Sequence, residues 1–175
     1  MDRRDRIKSP VSINGRKLNL PKGKKIILWV IVNLEVWDSD LPQPRNILPP
    51  PMGIPMLPDL PNWSWHEYGM RVGFWRILKA LKERNICSTL ALNATVCDHY
   101  PEAVNAAINE GWEAMGHGYI QKPMHKVENE FVDIKSAINK IEGFTKKKVI
   151  GWESPGLTET HDTLDILSDN GIKYT

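Results

Sequence analysis

Cysteine is nearly missing: Cys87 and Cys97 are the only two, too few for a disulfide framework and at no metal-ligand spacing. In a reducing compartment both are expected to be small, buried packing groups, Cys87 in a strand and Cys97 at a helix start. A dominant charge is missing too, because 23 basic residues meet 21 acidic ones for a formal net charge of +2. The basic runs at residues 3–8, 22–25 and 146–148 are short and read as solvated termini and turns, so no nucleic-acid partner is expected. Long apolar runs are also missing. The longest, residues 26–32, is far too short to cross a bilayer. The opening Met-Asp-Arg-Arg-Asp-Arg has no apolar segment before Pro10 and does not read as a secretory signal. A cytoplasmic protein with no membrane partner is the expectation, and no internal repeat or low-complexity segment points to a solenoid.

What is present is a chain of 175 residues, 41% hydrophobic and 25% charged, enough to bury one core. Residues 24–34 are rich in β-branched side chains and read as a central strand buried on both faces. Residues 38–62 hold most of the prolines, among them Pro49, Pro50 and Pro51, and must form an extended loop. Its apolar residues (Ile47, Leu48, Met52, Ile54, Met56, Leu57, Leu60) are expected to pack it on the body. Residues 64–84 carry Met70, Phe74, Ile77, Leu78 and Leu81 at helical spacing. A strand over 86–92 follows, then a helix over 101–109 stopped at Gly111, and a third strand over 112–116. Phe131, Ile134, Ile138 and Ile141 mark a helix over 128–144. A fourth strand spans 149–152, a last helix 160–170, and a fifth strand begins at 172–174.

Strands alternating with helices of this length predict βα units on a parallel sheet. Residues 1–23 read as an N-terminal extension and 24–175 as the domain. A parallel sheet that stops on a nascent strand leaves an open edge. The chain is therefore read as the N-terminal part of a longer (β/α) barrel, or as one whose edge is closed by a partner such as a second copy in a homo-oligomer. Three strands end on polar residues, Glu35, His117 and Glu153. If they are neighbours, two carboxylates and an imidazole meet at the rim where α/β proteins place their chemistry.

The tract Trp65-His66-Glu67-Tyr68-Gly69-Met70-Arg71-Val72-Gly73-Phe74-Trp75-Arg76, with Ala91-Leu92-Asn93-Ala94, Gly111-Trp112-Glu113-Ala114-Met115-Gly116-His117-Gly118, Gly151-Trp152 and Pro155-Gly156-Leu157-Thr158-Glu159-Thr160, resembles the polysaccharide deacetylase superfamily (carbohydrate esterase family 4). Within it the chain is most similar to the branch holding the cofactor-independent bacterial allantoinases. The resemblance runs from Lys24 to the end and implies an α/β fold, the N-terminal part of a distorted (β/α) barrel with a long Pro-rich loop after the first strand. It also implies hydrolysis of an amide or ureide carbon–nitrogen bond.

Departures from the family pattern matter as much. Typical members carry a paired Asp-Asp after the first strand, one the base and one a metal ligand; here Glu35-Val36 keeps the base position and loses the ligand. Where a second histidine is usual, Gln121 stands, a poor ligand for zinc. His125, beyond Pro123, fits no ligand spacing and reads as a surface loop. Glu153 stands where the third motif normally offers an arginine. No bound metal and no cofactor are expected.

A metal-free hydrolase still needs a base for water and a donor for the developing charge. Glu35 is assigned as the base and His117 as acid or oxyanion donor, although Glu35 could instead cap a helix or pair with Arg71. Gly116 and Gly118 frame His117 where the backbone can approach a ligand. Glu67 and Arg71 lie one turn apart, so Arg71 pairs with Glu67 or reaches a substrate carboxylate; the resemblance favours the substrate. Asn93 is a candidate for the same pocket, Glu153 for a salt bridge or substrate contact, and Trp37, Trp63, Trp65 and Trp152 for its wall or for the core. The expected activity is a metal-independent hydrolase of a linear amide or cyclic ureide acting on a small polar substrate. The alternative is a catalytically silent domain that binds such a ligand or an assembly partner. Weak turnover is expected of the chain unless a partner completes the barrel.

Overall fold

Three strands, β1 (Ile31–Leu34), β2 (Thr89–Leu92) and β3 (Glu113–Gly116), lie side by side in chain order and all run parallel. Leu34, Leu92 and Gly116 share one level of the sheet. Bridges from Gly116 to Trp152 and from Gly151 to Tyr174 extend the order by two short segments, where fuller strands over 149–152 and 172–174 are predicted. The computed structural model describes residues 20–41 and 47–175. The expected extension over 1–23 therefore falls outside the described residues as far as position 19, as do the basic run 3–8 and the prolines at 42 and 44. Among the described residues no helix is long and apolar enough to cross a membrane.

The helices form where period and caps agree. Asp59 accepts the backbone N–H of Asn62 and opens α1 (Leu60–Tyr68), with Pro61 in the first turn where its missing N–H costs nothing. The single helix predicted over 64–84 is broken by a π-turn over Gly69–Gly73, in which the N–H of Phe74 reaches back five residues to the carbonyl of Gly69. It resumes as α2 (Phe74–Lys82). After β2 a short α3 (Val96–His99) precedes α4 (Pro101–Asn109), which stops at Gly111 with φ 83. Asn129 caps α5 (Glu130–Thr145) by accepting the N–H of Val132, and α6 (Thr163–Asp169) closes the series. The core lies between the sheet and these helices, around Phe74, Leu90, Leu92, Trp112, Ile134, Ile141 and Trp152.

Four expectations are corrected. The first strand is not central and does not begin at residue 24: β1 lies at the sheet edge and starts at Ile31. Ile26 and Leu28 are 82% and 78% exposed, because β2 pairs no further back than Val30, which accepts the amide of Thr89 and the hydroxyl of Ser88. Trp29 still reaches back, its indole N–H on the Thr89 hydroxyl and its ring against Tyr174, while residues 26–28 run past the end of the sheet. Cys87 is exposed just ahead of β2; only Cys97 is buried, and burial pushes its thiol up to about 11, which leaves it inert. The apolar residues of the Pro-rich loop, Ile47, Leu48, Met52, Ile54, Met56, Leu57 and Leu60, are exposed rather than packed on the body. Phe131 is exposed as well, and α5 buries Ile134, Ala137, Ile138 and Ile141 instead.

The two glycines beside His117 admit neighbouring side chains, not a ligand. A Cβ at Gly116 would lie 2.5 Å from the Trp152 ring, and one at Gly118, where φ is 76, would lie 2.6 Å from Pro155. Trp152 is fully buried over Gly116. Gly116→Ala is therefore expected to destabilise the fold by about 1–3 kcal/mol through overpacking, read as a lower midpoint of thermal unfolding with near-ultraviolet circular dichroism reporting the displaced indole.

Candidate active site

The register of the sheet sets the site. Residues beyond the C-terminal ends of β1 and β3 emerge level with one another, and the segment after Trp152 joins them. Glu35 Oε1 lies 3.1 Å from His117 Nε2. On the other side of the ring, His117 Nδ1 lies 2.6 Å from the carbonyl oxygen of Glu153 and 3.6 Å from its carboxylate. His117 is 2% exposed, while the two carboxylates reach partly into solvent. The structure thus brings Glu35, His117 and Glu153 together.

Proton positions follow from the partners. A carbonyl only accepts, so Nδ1 of His117 carries a hydrogen and donates it to Glu153. Nε2 is left to face Glu35, and two lone pairs would repel, so this contact holds when the pair shares one proton. Burial pushes the Glu35 carboxyl up. Hydrogen bonding and charge from His117, the Trp37 indole N–H at 3.0 Å and the Asn33 amide at 3.5 Å outweigh burial and leave it below its ordinary value. Glu35 is therefore a carboxylate facing Nε2 of His117. Its pairing stabilises the fold above the ordinary value of 4.5, and that contribution is lost as the pH falls through the lower folded value. Thermal unfolding of Glu35→Gln is expected to show a shallower acid decline than the parent protein, measured from about pH 6 to about pH 3.

Asn33, which the residues alone do not mark, belongs to the site, and Trp37, expected only for its wall or for the core, bonds the carboxylate directly. Asn33 donates to Glu153 Oε2 at 2.9 Å and ties the two carboxylates to one amide. Trp37 bonds Glu35 on one edge and stacks on His66, ring centroids 4.9 Å apart. Strand alternation is the signal that could have found both, since positions 33, 35 and 37 share one side of the chain. Burial holds His66 below its ordinary value, against the pull of the Glu35 charge, and its Nε2 is buried with no partner.

Other candidates lie apart. Asn93 is fully buried. Its oxygen accepts the N–H of Val36 at 3.0 Å, and its amide donates to the carbonyl of His117 and to Gln121 Oε1. It clamps three loops and offers nothing to a ligand. Glu67 and Arg71 pair at 2.7 Å and gather Tyr100, whose hydroxyl donates to Glu67 and whose ring lies 5.9 Å from the guanidinium; this cluster is not joined to His117. Burial and the Glu67 carboxylate push the Tyr100 phenol up to about 12. Trp152 is core, with its indole N–H on the Ser154 hydroxyl, and His125 is exposed on a turn.

The donor set does not fit a zinc ion. Both ring nitrogens of His117 are engaged, Val36 offers no donor, and Gln121 spends its oxygen on Asn93. Glu35 and Glu153 approach opposite nitrogens of the ring, so no single ion position reaches the imidazole and both carboxylates. Among the described residues no three His, Cys, Asp or Glu side chains are grouped to hold a metal ion.

The polysaccharide deacetylase family profile matches residues 65–175, a span that includes His117 and Glu153 and leaves out β1 and Glu35. None of the curated protein sequences matches the chain. Among solved structures the chain is similar to PuuE allantoinase, with 28% identity and a TM-score of 0.60 over 65% of this chain and 37% of that one. It is also similar to a probable polysaccharide deacetylase from Pseudomonas aeruginosa PAO1, at 24% identity and a TM-score of 0.65 over 82% of this chain and 51% of that one. A third likeness is a carbohydrate esterase family 4 pseudoenzyme from Bacillus anthracis, at 18% identity and a TM-score of 0.54 over 58% of this chain and 37% of that one. The last two speak for the fold alone. The chain spans between 37% and 51% of the length of these three structures.

Proposed function

The chain belongs to the polysaccharide deacetylase family, and from that premise we propose that it hydrolyses a non-peptide carbon–nitrogen bond without a metal. The observation that carries the proposal is the Glu35–His117 contact of 3.1 Å, with the opposite ring nitrogen held by the Glu153 carbonyl at 2.6 Å. In this reading the Glu35 carboxylate takes a proton from water as its oxygen attacks the amide or ureide carbonyl carbon. The C–N bond breaks while His117 Nε2–H gives its proton to the departing nitrogen. The proton on Glu35 then returns to Nε2. The Glu153 carbonyl keeps Nδ1 protonated throughout, so Nε2 alone exchanges. The likeness to an allantoinase supports a ureide as one substrate class. A small polar substrate, no bound cofactor and a cytoplasmic location belong to the same proposal.

The test incubates the chain with ureides and N-acyl amides, with and without chelator. Turnover is expected to be unchanged by chelation. Turnover lost with chelator and restored by zinc overturns the proposal, and saturable binding with no turnover favours the silent alternative.

A further inference from the structure

A cavity of about 780 Å³ opens at the sheet rim beside Trp37, whose indole N–H holds the Glu35 carboxylate. Its volume falls in the range of small-molecule sites. Trp37, Trp63, Ile120, Pro123 and Pro155 give it an apolar wall. Val36 and Gln121 also line it, the two positions where the family resemblance would put ion ligands. Thr95 lines it too, and its hydroxyl is buried with no hydrogen-bond partner, a cost that a ligand's polar group would relieve. Two cations stand at the edge, half-buried Lys122 and exposed Lys126. The one carboxylate there, Asp38, already accepts the backbone N–H of Asp40 at 2.9 Å. An apolar wall, an unsatisfied hydroxyl beside the polar Ser39, His99 and Gln121, and a positive edge describe a specific kind of guest.

We propose that this cavity binds the part of the substrate remote from the scissile bond, an aromatic or branched apolar group bearing a single carboxylate, as in an N-acylated apolar amino acid. The amide in that guest rests on the hydrolase reading above; the apolar and anionic parts rest on the cavity alone. Trp37 is the common wall, since its ring faces the cavity while its N–H holds Glu35. A phenyl ring seated against Trp37 and Trp63 would place its carboxylate toward Lys122 and Lys126 and leave the amide nearest Glu35.

The experiment follows quenching of tryptophan fluorescence as the full 175-residue chain is titrated with N-acetyl-L-phenylalanine, N-acetylglycine and N-acetyl-L-phenylalanine amide. The first is expected to bind about tenfold more tightly than the other two, one lacking the apolar group and the other the charge. In Lys122→Ala/Lys126→Ala, two changes at the solvent edge, the preference over the amide should vanish while the preference over the glycine compound stays. Equal affinities for the three ligands, or no binding by any of them, overturn the proposal. Preferential binding without hydrolysis leaves the cavity assignment standing and removes the hydrolase reading; hydrolysis without preference does the reverse.

Discussion

Glu35→Gln is expected to lower the rate constant for amide or ureide hydrolysis by roughly 10²–10⁴-fold with little change in KM. The size follows from what the side chain does. A glutamine keeps the shape, can still accept the Trp37 indole N–H and can still meet His117 through its amide. It cannot take a proton from water at neutral pH, and it cannot hold a charged imidazolium as a carboxylate does. The loss therefore falls on the chemical step, which is why kcat and not KM should carry it. A rise in KM with kcat intact would mean that Glu35 binds substrate and that another group is the base. Thermal unfolding near neutral pH checks that the variant remains folded, and its altered acid limb, argued above, checks that the change has reached the intended ion pair.

The second large effect is structural. Asn93→Ala is expected to cost about 3 kcal/mol, or roughly 6–12 °C in the unfolding midpoint. The side chain is fully buried and answers the Val36 N–H, the His117 carbonyl and the Gln121 amide together. Alanine removes all three partners and leaves a buried donor and a buried acceptor unpaired. Because Val36 follows Glu35 directly and the second partner is the backbone of His117, the same change should loosen the distance between acid and base. Asn93→Asp separates the two causes: it keeps the bond to Val36 but turns an acceptor toward the His117 carbonyl, so stability should fall without any cavity. Melting curves for the two variants, read beside their hydrolysis rates, check the assignment.

Much of this fold could be read from the residues because its signals are local. The helix over Pro101–Asn109, stopped at Gly111, follows from period and caps, and the strands around Leu90 and Ala114 from short apolar runs between helical stretches. The meeting of Glu35, His117 and Glu153 follows from strand ends alone, once the strands are taken as neighbours. What could not be read depends on longer-range packing. Residues 26–28 have the composition of a buried strand, and only the length of β2 decides that they lie beyond the sheet. The π-turn at Gly69–Gly73 preserves the apolar period on both sides and so leaves no mark in it. The clamp made by Asn93 joins residues 24 to 57 positions away, and nothing near position 93 announces it. Gly116 and Gly118 fit a ligand approach equally well in sequence; Trp152 and Pro155, distant along the chain, take the space.

In the proposed reaction His117, its Nδ1 hydrogen held by the Glu153 carbonyl, works against Glu35 and not against an ion. Nitrogen NMR of the His117 imidazole at neutral pH, recorded with and without equimolar zinc, discriminates between the two. Nδ1 is expected to carry its proton, and zinc to move neither nitrogen. A bare Nδ1, or a zinc-induced shift at either nitrogen, overturns that pairing.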